Sequence, residues 1–193
     1  MKIGILGGSF NPPHKMHFKM GLDLLEKGYI DKVIYVPTGS KYKYKNNLVE
    51  DVHRLKMLEL MIKDDDRFSV SDYELKDEVV YTCDTLKYFS ELYPNDEIYF
   101  VCGADNLSYV DKWKNGIFLL ENYNFLVIKR HTDDIDEILK RFSDYRKNII
   151  VSDVEPSDLS STDIRGKISS GVEVLDLLDE DVYEYLKQYN LYE

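Results

Sequence analysis

The chain has 193 residues, 25 basic and 36 acidic, for a formal charge of −11, which is enough for one domain around one core and too little for two comfortable ones. The acid excess argues against a nucleic-acid binder, which needs surplus Lys and Arg to displace counterions from phosphates, and no apolar run approaches the ~20 residues of a membrane span. Two cysteines, Cys83 and Cys102, are too few for a disulfide framework or a zinc quartet, and this points to a cytoplasmic protein.

In chain order, KIGIL at 2–6 has the pattern of a short buried strand ended by Gly7-Gly8, and is too short for a signal-peptide core. A helix follows with Phe18, Leu22 and Leu25 on one face, then a strand, KVIYVP, at 32–37. Val52, Leu55, Leu58 and Ile62 mark a second helix, and FSVSDYEL at 68–75 reads as a third strand. Thr82, Leu86, Phe89 and Tyr93 form another helical stripe stopped by Pro94. EIYFVCG at 97–103 and NFLVIKR at 124–130 are the clearest buried strands, with short helices between them around Trp113. NIIVSDV at 148–154 is a last strand before helices at about 162–169 and 179–190. The charged stretches KDDDR and TDDIDE read as solvated turns or helix faces. This alternation predicts an α/β, Rossmann-like open sheet, mainly parallel, with helices on both faces and residues 1–193 in a single domain.

In such a sheet, ligands bind beyond the carboxyl ends of the strands. The first loop there is Gly7-Gly8-Ser9-Phe10-Asn11-Pro12-Pro13-His14-Lys15-Met16-His17. Its glycines admit an anion close to the backbone, its prolines stiffen the turn, and the following helix aims free N–H groups at the same spot. His14 and His17, three apart, share a helix face and can donate to phosphate oxygens. A metal pair is the competing reading, but the chain has four His and no HExxH or Cys cluster, and no metal ligands are expected. A pair that only caps and packs the helix is a further alternative. Ser160-Ser161-Thr162 cap a helix whose N–H groups suit a phosphate, with Arg165 one turn inside to fork onto its oxygens. Asp105 closes a strand where a ribose hydroxyl would need an acceptor, and Thr82 and Thr85 bracket a helix start that suits a carboxylate.

GGSFNPPHKMH resembles the GG(S/T)F(D/N)PPHxGH signature of the nicotinate-nucleotide adenylyltransferases, within the nucleotidylyltransferases. YTCDTL at 81–86, GADNL at 103–107 with Trp113 following, LSSTDIR at 159–165, His53-Arg54, and the C-terminal VYEYLKQYNLY are similar to further motifs, in the family's order. The resemblance implies transfer of AMP from Mg-ATP to nicotinate mononucleotide, with Mg²⁺ as cofactor. His14, His17, Lys43 and Arg165 would be the catalytic residues. ATP would lie on Gly8, Ser9, Phe10, His14, His17, Gly103, Asp105, Ser161, Thr162 and Arg165. The pyridine mononucleotide would lie on Asn11, Thr82, Thr85, Asp105, Trp113, which would stack on the ring, and Arg130.

Three departures stand out. Met16 replaces the motif glycine, the lysine loop Lys41-Tyr42-Lys43-Tyr44-Lys45 lacks the usual prolines, so that either Lys43 or Lys45 is the counterpart, with Lys43 preferred, and His131-Thr132 replaces Pro-Gly after Arg130. Other acceptors, nicotinamide mononucleotide or phosphopantetheine, and a non-catalytic nucleotide-binding protein stay open, as does a homo-oligomer. Residues 1–57 carry 10 basic and 5 acidic side chains and the remainder 15 and 31. The acidity thus repels a polynucleotide while leaving the loops of the first third locally cationic.

Overall fold

A computed structural model describes residues 1–41, 48–129 and 134–193. Six strands, β1 (Lys2–Gly8), β2 (Lys32–Pro37), β3 (Phe68–Val70), β4 (Glu97–Gly103), β5 (Asn124–Ile128) and β6 (Ile149–Val151), form one sheet. Their order is β3-β2-β1-β4-β5-β6, and every pairing is parallel. The helices are α1 (Lys15–Glu26), α2 (Asp51–Ile62), α3 (Thr82–Leu92), α4 (Ala104–Tyr109), α5 (Gly116–Asn122), α6 (Ile135–Arg141), α7 (Ser161–Ser169) and α8 (Glu180–Gln188).

The strands read as near-continuous apolar runs because both faces are covered. Alternate side chains enter two separate cores. Leu6, Tyr35, Val101 and Leu126 pack with Leu24 of α1, Met57 and Leu58 of α2, Ile164 of α7 and Leu186 of α8. Ile5, Val36, Cys102 and Val127 pack with Leu86 and Phe89 of α3, Leu107 of α4 and Leu119 of α5. β1 and β4 are neighbours, and the order runs outward from them in opposite directions. Their carboxyl ends therefore open a crevice at the point where the topology reverses, the place where sheets of this class hold ligands.

Three local expectations change. The third strand stops at Val70, and its continuation leaves the sheet to fold over the end of β2. A Cβ at Gly39 would lie 2.3 Å from the carbonyl oxygen of Glu74, so glycine admits this approach. On α2 the apolar stripe misplaces two residues: Val52 is 61% exposed and Leu55 is only partly buried, and the buried face is Arg54, Met57, Leu58, Met61 and Ile62. The last two strands are shorter than read, β5 stopping at Ile128 and β6 running Ile149–Val151, while within TDDIDE Asp134 caps α6 by accepting from the Glu137 N–H at 3.1 Å, in keeping with a solvated helix face.

Candidate active site

β1 delivers the glycine loop to the crevice, and α1 begins at its far end with His14 as the capping residue. The His14 N–H donates to Nδ1 of His17 at 3.2 Å, and the rings stack with centroids 3.7 Å apart. Because that Nδ1 accepts, a neutral His17 carries its proton on Nε2. Phe10 meets the same ring edge-on at 5.0 Å, and the buried Tyr35 hydroxyl donates to the His17 carbonyl at 2.8 Å. Burial pushes the His14 pKa down to about 4. Burial and then the neighbouring His14 hold His17 well below the ordinary value. Both imidazoles are therefore neutral at pH 7, and the buried Nδ1 of His14 has no hydrogen-bond partner.

This pair faces a cleft of about 820 Å³. Of the expected site residues, Gly8, Phe10, His14, His17, Thr82, Gly103, Asp105, Trp113 and Ser161 line it. Asp105 folds back over Gly103, where a Cβ would come within 2.3 Å of its Oδ1, so a side chain at this position would displace the Asp105 carboxylate. Trp113 is half-buried, edge-on to Phe100 at 6.0 Å. Lys114 beside it pairs with Asp84 of α3 at 3.2 Å and lies over the Tyr81 ring, which ties the Trp113 segment to the start of α3. Met16 and Met20 also line the cleft, so the residue in place of the motif glycine projects a flexible, polarizable side chain into it.

Other expected residues lie behind the cleft rather than on it. Asn11 is 2% exposed, and its Oδ1 accepts from the Tyr192 hydroxyl at 2.7 Å and the Val49 N–H at 3.2 Å. It therefore ties the loop to two distant segments. Arg165 gives Nη1 to the Asn11 carbonyl at 2.8 Å and Nη2 to the Thr162 hydroxyl at 3.2 Å. Ser161 donates to the Pro12 carbonyl at 2.8 Å, while Ser160 and Asp163 cap α7 reciprocally. α7 thus braces the histidine loop from behind while its N-terminus opens on the cleft. Thr85 is 3% exposed; its N–H bonds to the Tyr81 carbonyl within the helix, and its hydroxyl donates to Glu74. The groups at the mouth of α3 are instead the N–H groups of Thr82 and Cys83, which precede the first intrahelical bonds. The backbone carbonyl of Ser9 is held by Arg54. Lys43, Lys45 and Arg130 lie outside the described residues.

Sequence reasoning noticed Arg54 without giving it a role. It is completely buried and donates Nε to Val49 O at 3.3 Å, Nη1 to Ser9 O at 2.8 Å, and Nη2 to Thr38 O at 2.6 Å and Asp51 Oδ1 at 2.5 Å. One guanidinium thus fastens the glycine loop, the end of β2 and the start of α2. The nearest signal in the sequence is an Arg on the helix face otherwise occupied by apolar residues. Among the described residues no group of three or more His, Cys, Asp or Glu is arranged to hold a metal ion, and no helix is long and apolar enough to cross a membrane.

Residues 5–167 match the cytidylyltransferase-like family. A Clostridium tetani protein named "Probable nicotinate-nucleotide adenylyltransferase" is 36% identical over 99% of this chain and 98% of its own. A Clostridium novyi protein of the same name matches with the same identity and coverage. Among solved structures, the nicotinic acid mononucleotide adenylyltransferase of Plasmodium falciparum in complex with NaAD is similar with a TM-score of 0.81 and 25% identity. That likeness covers 99% of this chain and 97% of the other, and the same enzyme complexed with APC aligns with a TM-score of 0.79.

Proposed function

Because the chain belongs to the cytidylyltransferase-like family and, within it, to the nicotinate-nucleotide adenylyltransferases, we propose that it transfers AMP from Mg-ATP to the 5′-phosphate of nicotinate mononucleotide, giving deamido-NAD and pyrophosphate. The observation that carries this is the convergence of the two neutral histidines with the mouths of α3 and α7 and with Trp113 in one cleft. It offers phosphate donors beside an aromatic platform and an N-terminal helix mouth suited to a carboxylate.

The nucleophile is already an anionic phosphate, with a second pKa of about 6, so no general base is needed. What remains is positioning and neutralising charge as two anions approach. His17 Nε2–H and His14 would donate to the oxygens around the α-phosphate, with the α7 N-terminus behind them. Arg165 and Arg54 act through the loop that carries the histidines; whether Lys43 or Lys45 meets the leaving pyrophosphate belongs to the same proposal. Asp105 suits a ribose hydroxyl, Trp113 the pyridine ring, and Thr82 the ring carboxylate. A divalent ion accompanying ATP would supply charge neutralisation at the phosphates, and no residue of the chain is assigned to hold it. The whole span 1–193 is assigned to this one catalytic domain. The two free, buried cysteines support a cytoplasmic setting.

The deciding experiment is a panel of nicotinate mononucleotide, nicotinamide mononucleotide and phosphopantetheine with Mg-ATP, read as pyrophosphate release. Turnover is expected to be fastest with the nicotinate form. Fastest release with phosphopantetheine, or tight ATP binding with no release, would overturn the proposal.

A further inference from the structure

Glu74 lines the cleft, yet nothing in the adenylyl transfer uses it. The loop leaving β3 places it: its carbonyl packs against Gly39, and its Oε1 accepts the Thr85 hydroxyl at 2.6 Å. That hydrogen bond fixes the carboxyl beside the first turn of α3, where the proposed function seats the pyridine carboxylate. Two carboxylates in one desolvated corner do not both ionise without a large cost. Of the described lysines that line the cleft, Lys114 is paired with Asp84 and Lys112 lies over the Tyr109 ring.

We propose that Glu74 is a specificity-determining residue: it carries a proton when the bound pyridine bears a carboxylate and gives it up when the pyridine bears an amide. The proton comes from solvent and returns there on release, and no bond other than O–H forms or breaks. A protonated Glu74 can donate to the ring carboxylate, whereas an ionised Glu74 accepts from a carboxamide N–H. This inference rests on the proposed seating of the pyridine.

The surroundings support a readily exchanged proton. Burial pushes the Glu74 carboxyl up to about 7, with the Thr85 hydroxyl pulling the other way. Among the described residues, the other ionisable groups around it are Tyr81 and the paired Asp84 at the start of α3, Asp105 and Lys112 across the cleft, and the neutral His14 and His17 at the start of α1. Lys76 of its own loop lies over the Tyr73 ring.

The test is kcat/KM for nicotinate and nicotinamide mononucleotides with Mg-ATP from pH 6 to 8.5, in wild type, Glu74→Gln and Glu74→Asp. Titration of the substrate phosphate and of the histidines is common to both substrates and cancels in the acid-to-amide ratio. In wild type the ratio is expected to fall by ~10-fold per pH unit across the range, as an acid that needs the proton and an amide that excludes it require. It is expected to be flat in Glu74→Gln and, in Glu74→Asp, to keep that slope at a lower ratio. Calorimetry of wild type at pH 8 in two buffers of different ionisation enthalpy should show about one proton more taken up with the acid than with the amide. A flat ratio in wild type, the same slope in Glu74→Gln, or equal proton uptake overturns the inference and leaves the adenylyl-transfer assignment standing. Failure of wild type to use either pyridine nucleotide overturns both.

Discussion

In the proposed reaction, His17 is the side chain expected to matter most. The His14 N–H holds its Nδ1, the edge of Phe10 holds its ring, and Tyr35 holds its backbone. The Nε2–H donor is therefore preorganised before any ligand arrives, and a donor of that kind does not reorganise when charge develops. Replacing His17 by Ala is expected to lower turnover by at least ~10²-fold, the scale of losing one such donor. Pyrophosphate release under saturating ATP measures it, and a rate near that of wild type would remove His17 from the reaction. Of the other side chains singled out in the loop, Asn11 turns inward, where its Oδ1 accepts from two distant segments at once.

Elements meet at Arg54. Three backbone carbonyls and Asp51 depend on one completely buried guanidinium, so its removal strands several polar groups together. Arg54→Met is expected to cost about 3–5 kcal/mol of stability, measured by equilibrium denaturation at pH 7. A loss under ~1 kcal/mol would mean that the clamp between β1, β2 and α2 contributes little. The strands and most helices were legible because each has a length and a period that local sequence displays: KVIYVP and EIYFVCG end as read. The histidine loop was legible for a related reason, a short run of glycine, proline and i, i+3 histidines. Arg54 and Glu74 were not, since their partners are brought together only by the folding of separate segments. Arg54 reaches Ser9 across 45 positions, and Glu74 belongs to a stretch whose alternation looks like a strand but which bends away to meet Gly39.

For the molecule as a whole, the buried titratable groups set opposing pH dependences. His14 and His17 have pKa values lowered by burial, so the unfolded chain binds protons below pH 6.5 that the folded one refuses. Their contribution is complete above pH 6.5 and is lost as pH falls, for His14 towards about 4. Glu74, raised by burial, acts the other way: its contribution is complete below about 4.5 and is lost as pH rises through about 7. Two histidines against one carboxyl give a net loss of stability between pH 6.5 and 5. Glu74→Gln removes the opposing group and is expected to lose roughly 2 kcal/mol more over the same interval. Urea titrations at the two pH values check the sign, and a smaller loss in the Gln variant than in wild type would contradict it.

The bonds from Arg165, Ser161 and Tyr192 to residues 11 and 12 also bear on how the protein is assembled. They span 149 to 181 positions, whereas β1 and β2 already pair across a single helix. Closing such long loops comes late because its entropy must be met before the contacts reward it. During synthesis, the strands from β1 to β5 can thus pair before the loop after β1 is braced, whereas the face that α7 and α8 cover closes together with that bracing. The segment made first is the one completed last, so a growing chain completes this loop only as the last-made helices seal the core beneath it.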